Sequence, residues 1–209
     1  MKFTKAARPV VMSQNGMVSS GHMLASLAGV KILQEGGNAV DAVLAAAFVS
    51  SVVKPETSGP GGDLFALVAM KKTGKVEALN SSGPAPAKAS IDYFHGRGLK
   101  AIPQSGPLSI AVPGAVDGWL ELHRKYGTKD LQRLTADAVE LGRNGFPIPL
   151  GLAESIDEVS PEFPWIDGFY RQPFGGPKPG KILVQKGLAE VFSGIAEKGR
   201  DGFYAGEVA

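Results

Sequence analysis

The chain has 209 residues, of which 44% are hydrophobic and 20% are charged, and its formal net charge is +2. This length suits one large domain, and the hydrophobic content is ordinary for a globular protein with a sizeable core. The small net charge and the absence of a basic run argue against a nucleic-acid-binding protein. The sequence contains no cysteine, which excludes a disulfide framework and a thiolate site. We expect a single domain over residues 1–209.

The first eleven residues carry three cations, Lys2, Lys5 and Arg8, but no apolar core follows them. A secretory signal peptide needs an apolar stretch of about 7–15 residues after its basic start. We therefore expect a cytoplasmic location, with the alternative that a leader preceded this segment and was removed.

The first predicted helix begins near His22, because Met23 and Leu27 open a series of apolar residues at helical spacing. A serine hydroxyl accepts a hydrogen bond from a free N–H of a first helical turn. Ser19 or Ser20 is therefore the expected N-cap. A pair of glycines ends this helix, since glycine adopts the left-handed conformation without steric cost.

Asn38 is expected to cap a second helix, from Ala39 to about Val53, which is apolar on almost every side. Its one charged residue, Asp41, lies in the first turn, where the helix dipole favours an anion. A helix that is apolar all round is either buried or membrane-spanning. A membrane span needs about 20 apolar residues, so we interpret this shorter segment as a buried central helix.

Apolar runs and glycine or proline breaks predict the remaining elements. Two strands, Leu64–Met70 and Val76–Asn80, flank a turn with Gly74 at a positive-φ position. A short helix, a short strand and four longer helices follow: Ile91–His95, Leu108–Val112, Ala115–Tyr126, Leu131–Asn144, Leu150–Val159 and Leu188–Lys198. Residues 160–180 are expected to form a long loop on the substrate side. The last nine residues are expected to begin a helix cut after its first turn, which indicates a piece of a longer protein.

The glycine-rich loop from Ser58 to Asp63 lacks the features of a nucleotide site. No Lys follows Gly62, as the Walker pattern requires, and Leu64 stands where the dinucleotide pattern needs a third glycine. Both patterns also run from strand to helix, whereas here a helix precedes the loop and a strand follows. We expect a tight structural loop and no cofactor, and keep a nucleotide-binding α/β protein as an alternative.

None of the three histidines has the spacing of a metal-ligand pair, and no serine lies in a G-x-S-x-G motif. His123 lies on an apolar helical face and is expected to be a satisfied core or rim histidine. Asp41, Asp63 and Asp92 are better explained as cap and turn residues than as catalytic acids. We therefore expect no metal site and no catalytic residue in this chain.

Several short motifs are spread along nearly the whole chain, and most consist of glycines, prolines and caps. They are Met17-Val-Ser-Ser20, Gly36-Gly-Asn-Ala-Val-Asp-Ala42, Ser58-Gly-Pro-Gly-Gly62, Ala85-Pro-Ala87, Val112-Pro-Gly114, Tyr126-Gly127, Gly145-Phe-Pro147 and Phe203-Tyr204. Together they resemble the N-terminal part of the large subunit in the gamma-glutamyltransferase (gamma-glutamyltranspeptidase) family of N-terminal-nucleophile (Ntn) hydrolases.

The resemblance implies an α+β fold, the Ntn-hydrolase αββα sandwich, of which this chain is an incomplete N-terminal portion. It implies a precursor that cleaves itself before a Thr or Ser, and this new N-terminal residue attacks an amide carbonyl. Because that nucleophile is expected downstream of these residues, the chain alone is expected to be inactive. The implied partners are a small amide or gamma-glutamyl substrate and the small subunit cut from the same precursor, with no nucleic acid and no membrane.

One position departs from the family pattern R-E-x-A-P, whose Arg binds the α-carboxylate of gamma-glutamyl substrates. Alignment on Ala85-Pro86 puts Ser82 at the Arg and Gly83 at the Glu. A hydroxyl cannot replace a bidentate guanidinium, so a related acylase or amidohydrolase is an alternative, as is a non-enzymatic module that keeps the fold. Ser82 and Gly83 are the expected substrate-binding residues, unless Ser82 is only a turn residue. Lys88, Arg97 or a downstream residue is a candidate for a compensating cation.

Overall fold

The computed structural model describes residues 10–159 and 178–209. In chain order its elements are α1 (Met23–Gln34), α2 (Ala39–Val53), β1 (Leu64–Met70), β2 (Lys75–Ser81), α3 (Ile91–His95), α4 (Ala115–Tyr126), α5 (Leu131–Asn144), β3 (Phe146–Pro147), α6 (Leu150–Val159), β4 (Ile182–Leu183), α7 (Lys186–Lys198) and α8 (Asp201–Tyr204). The predicted loop at 160–180 lies mostly outside the described residues. Most predicted elements are confirmed, with ends that differ by one or two residues.

The apolar helix α2 lies at the centre of the helical layer, where it packs against α1, α4 and α5. Phe48 and Val52 have no exposed surface. Asn38 and Asp41 form a capping box, in which each side chain accepts a hydrogen bond from the other residue's backbone N–H. Val43 is 54% exposed, so one side of the helix reaches the surface. The prediction of a buried central helix is otherwise confirmed.

Three aromatic rings join α2 to α4 and α7. The ring of Phe48 meets Trp119 edge-on at 5.1 Å between centroids and Phe192 edge-on at 5.6 Å. Such edge-to-face pairs stabilise beyond the apolar area that they bury. The three helices are therefore fixed to one another by a single aromatic cluster.

The strands β1 and β2 form an antiparallel hairpin whose register pairs Leu64 with Ser81. Gly74 in the turn has a φ of +66°, as predicted. The inner face of the hairpin packs on α4 and the core. Its outer face, which we define as Phe65, Leu67 and Val76, is apolar and exposed at 63%, 76% and 65%.

A second, two-stranded sheet pairs β3 with β4, and Phe146 lies opposite Leu183. Each of these strands has two residues, which is too short to give an alternating pattern in the sequence. Gly145 ends α5 with a φ of +84°, as predicted for its C-cap. This sheet therefore joins the end of α5 to the segment before α7.

The predicted N-cap of α1 is wrong. Neither Ser19 nor Ser20 caps the helix, because the ring atom Nδ1 of His22 accepts the hydrogen bond from the backbone N–H of Leu24 at 3.2 Å. Ser20 instead donates its hydroxyl to the carbonyl of His22 at 2.8 Å. An imidazole nitrogen thus occupies the position that a serine oxygen was expected to fill.

The predicted strand at Leu108–Val112 is also wrong. A single turn of 3₁₀ helix, Pro107–Ser109, stands there, after a glycine with a φ of +86°. Pro107 has no N–H to donate to a ladder. The backbone N–H of Val112 makes one bond, to the carbonyl of Pro84 at 3.0 Å. This hydrogen bond joins the segment to the loop after β2.

The helix predicted near the C-terminus is short. It spans Asp201–Tyr204, and Ala205 follows in an extended conformation with φ −136° and ψ 160°. The helix therefore ends at Tyr204 and does not continue to residue 209.

Candidate functional site

Segments from three distant parts of the sequence meet at an open pocket of about 500 Å³. They are the end of β2 with the loop after it (80–84), the turn before α4 (112–114) with Asp117 in α4, and Arg200 with Tyr204 at α8. We call this site the β2–α4 pocket. Two of the motifs that carry the family resemblance, V-P-G and F-Y, contribute residues to its wall.

Two glycines let the loops of the pocket cross in direct backbone contact. Gly83 has a φ of +80°, and a Cβ on it would overlap the carbonyl oxygen of Val112. A Cβ on Gly114 would likewise overlap the carbonyl oxygen of Ser81. The hydroxyl of Ser81 donates to the carbonyl of Gly114 at 2.8 Å, which closes the crossing. No side chain larger than hydrogen fits at either position with this backbone.

The N-terminus of α4 faces the pocket and has no side-chain cap. The carbonyl of Gly62 accepts hydrogen bonds from the N–H groups of Gly114 and Ala115, both at 3.0 Å. The loop at Ser58–Gly62 therefore satisfies free N–H groups of a helix start. A structural loop was expected here, but its contact with α4 was not predicted.

Tyr204 ties α8 to the same helix start. Its hydroxyl donates to the carbonyl of Pro113 at 2.7 Å and accepts from the N–H of Asp117 at 3.1 Å. Burial raises the pKa of Tyr204 above its ordinary value. The hydroxyl therefore keeps the proton that it donates to Pro113.

The pocket contains one ion pair, which the sequence did not point to. The Nε atom of Arg200 donates to Oδ1 of Asp117 at 2.9 Å, and the guanidinium carbon lies 4.5 Å from the ring centre of Tyr204. Two cations that the sequence offered, Lys88 and Arg97, do not line the pocket. Arg200 lies 118 residues after Ser82 in the sequence (200 − 82), and no motif marks it.

Ser82 lines the pocket, as Gly83 does. The backbone N–H of Ser82 donates to the side-chain oxygen of Asn80 at 3.1 Å, so the residue also takes part in the turn after β2. Gly83 brings only backbone atoms to the wall. The roles of both residues in substrate binding stay predictions.

Asp41 is a structural carboxylate, as expected. It is fully buried and accepts hydrogen bonds from the N–H of Asn38 at 2.9 Å, of Thr128 at 2.8 Å and of Lys129 at 3.2 Å. Burial raises the pKa of Asp41, but these bonds and the one from the Thr128 hydroxyl outweigh it and hold the pKa below its ordinary value. The motif at residues 36–42 thus binds the turn after α4.

His123 also has a structural partner, because its Nε2 lies 2.7 Å from the carbonyl oxygen of Lys129. The satisfied histidine that the sequence predicted is confirmed. Across residues 10–159 and 178–209, no three His, Asp or Glu side chains are grouped so that they could hold a metal ion. Within the same ranges, no helix has both the length and the apolar content of a bilayer span.

Comparisons with known proteins extend over nearly the whole chain. A glutathione hydrolase proenzyme from Bacillus subtilis (strain 168) is 38% identical over 210 residues, which cover 97% of this chain and 35% of that protein. The gamma-glutamyltranspeptidase of Helicobacter pylori has a TM-score of 0.88 at 35% identity, over 96% of this chain and 59% of that one. A cephalosporin acylase from Bacillus halodurans has a TM-score of 0.84 at 34% identity, over 100% of this chain and 41% of that one.

The chain spans about a third of the length of the curated relatives that it matches. These likenesses confirm the α+β fold class, the N-terminal portion of the Ntn-hydrolase αββα sandwich. The family model described as Gamma-glutamyltranspeptidase matches residues 25–209. The chain therefore belongs to the gamma-glutamyltranspeptidase family, and it matches the N-terminal part of its relatives.

Proposed function

We propose that the whole protein is an Ntn hydrolase that transfers the acyl group of a small amide substrate to water or to an amine. The observation that carries this proposal is the convergence of family motifs on one open pocket, the β2–α4 pocket. The nucleophile is a Thr or Ser that self-cleavage exposes in a segment downstream of these residues. Asp41 and His123, which could have served as acid or base, are already held by structural partners.

The acyl group is the open part of the proposal, and the pocket wall favours a substrate other than a standard gamma-glutamyl donor. Ser82 stands where the family pattern has its carboxylate-binding Arg. Gly83 stands where the pattern has Glu, and its φ of +80° and its contact with Val112 leave no room for that side chain. The backbone at residue 83 therefore excludes the Glu of the R-E-x-A-P pattern, in agreement with the glycine in the sequence. An acylase-like or other amidohydrolase activity fits this wall.

The partner in this proposal is the small subunit cut from the same precursor. The exposed apolar outer face of the hairpin, Phe65, Leu67 and Val76, supports the presence of further protein around this chain. We also propose that residues 1–209 form one incomplete domain and that the protein is cytoplasmic. Fractionation of cells that express the full-length protein tests the compartment.

The direct test is to express the full-length protein and to follow its cleavage on a denaturing gel. We expect two chains, and turnover of acyl or gamma-glutamyl anilides that is lost when the new N-terminal Thr or Ser is replaced by Ala. Residues 1–209 expressed alone are expected to give no turnover. A full-length protein that stays intact and turns over no amide would favour the alternative, a non-enzymatic module that has kept the fold.

A further inference from the structure

We propose that Arg200 is a specificity residue that binds a carboxylate group of the substrate in the β2–α4 pocket. The inference rests on the proposed function, because it assigns a substrate class to the pocket described above. It follows from how the guanidinium is held and from which of its donors are left over.

The guanidinium of Arg200 is held on two sides. Its Nε atom donates to Asp117 at 2.9 Å, and its plane lies by the ring of Tyr204, 4.5 Å from the ring centre. Tyr204 is itself fixed by bonds to the backbone of Pro113 and Asp117. Since both supports are anchored to the start of α4, the cation is positioned before any ligand arrives.

The outer edge of this guanidinium is not used by the protein. In the part of the chain that the structure describes, the Nη atoms of Arg200 have no hydrogen-bond partner, whereas Nε has Asp117. An arginine presents its donors in a planar fork that matches the two oxygens of a carboxylate. Because Arg200 lines the pocket, we assign its Nη donors, which Asp117 leaves open, to a substrate carboxylate.

The exposed arginines of the described chain differ in how they use their donors. Arg124 also pairs with a carboxylate, but it donates both Nε and Nη2 to Glu121, at 2.8 Å and 2.7 Å. Its fork is therefore occupied, and it lines no described pocket. Arg143 pairs with Glu190 through Nη2 and, among the described residues, also keeps unpaired donors. Arg200 is distinguished by its place in the β2–α4 pocket beside the ring of Tyr204.

The other charged and hydrogen-bonding side chains of the pocket wall are also compatible with a carboxylate ligand. Asp117 is the other charged side chain lining the pocket, and its Oδ1 is taken up by Arg200. Ser82 lines the same pocket, and its hydroxyl has no partner among residues 10–159 and 178–209. Ser82 thus adds a hydroxyl donor to the wall that holds Arg200. The substrate class that we infer is small amides that carry a carboxylate.

The test is an NMR titration of the full-length protein with glutarate, a small dicarboxylate, and with glutaramide, its uncharged counterpart. A charged hydrogen bond changes a dissociation constant by roughly ten- to hundred-fold, and the exposure of Arg200 favours about ten-fold. Arg200→Gln should weaken glutarate binding by that factor and leave glutaramide unchanged. Arg200→Lys should fall between, since it keeps the charge without the fork. Arg124→Gln is the matched control and should behave as wild type.

Unchanged glutarate binding in Arg200→Gln, or no glutarate binding by the wild type, overturns the inference. The binding measurement does not depend on turnover, so it separates this inference from the proposed function. If glutarate binding depends on Arg200 but the protein cleaves no amide, the proposed function is wrong and the carboxylate site is supported. If the protein cleaves amides but its glutarate binding does not depend on Arg200, the proposed function is supported and the carboxylate site is wrong. Thermal unfolding of each variant checks that it is folded.

Discussion

The carboxylate of Asp41 in α2 accepts two hydrogen bonds from one residue, Thr128, which lies 87 positions later in the chain. The backbone N–H of Thr128 donates at 2.8 Å and its hydroxyl at 2.5 Å. The amide of Asn38 adds a third connection, to the carbonyl of Tyr126 at 2.6 Å. The start of the central helix and the turn between α4 and α5 are thereby locked together.

Replacing Asp41 by Ala should destabilise the protein strongly. The change removes the charged acceptor of the N–H groups of Thr128 and Lys129, and a hydrogen bond to a charged group contributes about 1.5–3 kcal/mol. We expect a thermal midpoint lowered by several degrees in a melting curve of the full-length protein. Asp92→Ala, at an exposed position in the first turn of α3, is the control. Equal midpoints for the two variants would contradict the structural role of Asp41.

The cap of α1 should make stability depend on pH. Burial lowers the pKa of His22 below 6.5, Lys54 lowers it further, and Glu56 opposes them. The folded state therefore holds the neutral ring, whose Nδ1 accepts from Leu24. The unfolded state binds the proton first, so this stabilisation is complete above about pH 6.5 and is lost as the pH falls through the folded pKa.

An NMR titration of the His22 ring should give a midpoint below 6.5. His22→Asn keeps a good helix cap but cannot titrate in this range. That variant should unfold at the same temperature as wild type at neutral pH and lose less stability on acidification. A His22 midpoint at or above 6.5 would show that the cap does not need the neutral ring.

A methyl group at Gly83 should disrupt the pocket. Gly83→Ala forces a positive φ on an L-residue, which costs about 1 kcal/mol, and its Cβ overlaps the carbonyl of Val112. Gly74→Ala, in the β1–β2 turn, imposes a similar φ with nothing within 4 Å of the new atom. We expect a clearly larger loss of thermal stability at position 83 than at 74. Equal losses would mean that the loop crossing is free to move.

Ser82→Arg should restore preference for gamma-glutamyl donors if Ser82 has been placed correctly. A charged hydrogen bond to the substrate is worth roughly 1.5–3 kcal/mol, or about one to two decades in kcat/KM. The measurement compares gamma-glutamyl anilide with uncharged acyl amides on the full-length enzyme, before and after the change. A wild type that strongly prefers the glutamyl donor, together with no gain in the variant, would show that Ser82 does not face the substrate.

Local signals were sufficient to predict most of the helices and the hairpin. Asn38 and Asp41 form a capping box that can be expected from their spacing, and Gly74 marks its turn. The bond from Asp41 to Thr128 could not be predicted, because nothing local to either residue specifies a partner so far away. The same holds for Arg200, which reaches the pocket through tertiary packing of α7 and α8.

The errors at shorter range have different causes. His22 caps α1 because an imidazole nitrogen accepts a hydrogen bond as a serine hydroxyl does. The sequence therefore offers His22 and the nearby serines as alternative caps. The segment around Pro107 has the apolar residues of a strand but no neighbouring strand to bond with among the described residues. Composition alone does not specify whether a ladder partner is present.

The outer face of the hairpin bears on how residues 1–209 will behave when they are produced by themselves. Phe65, Leu67 and Val76 form an apolar surface on a ladder of two strands. Within residues 10–159 and 178–209, neither outer edge of this hairpin is paired. Open strand edges beside apolar side chains template association between chains. The isolated segment should therefore bind hydrophobic dyes, attract chaperones during expression and self-associate as its concentration rises.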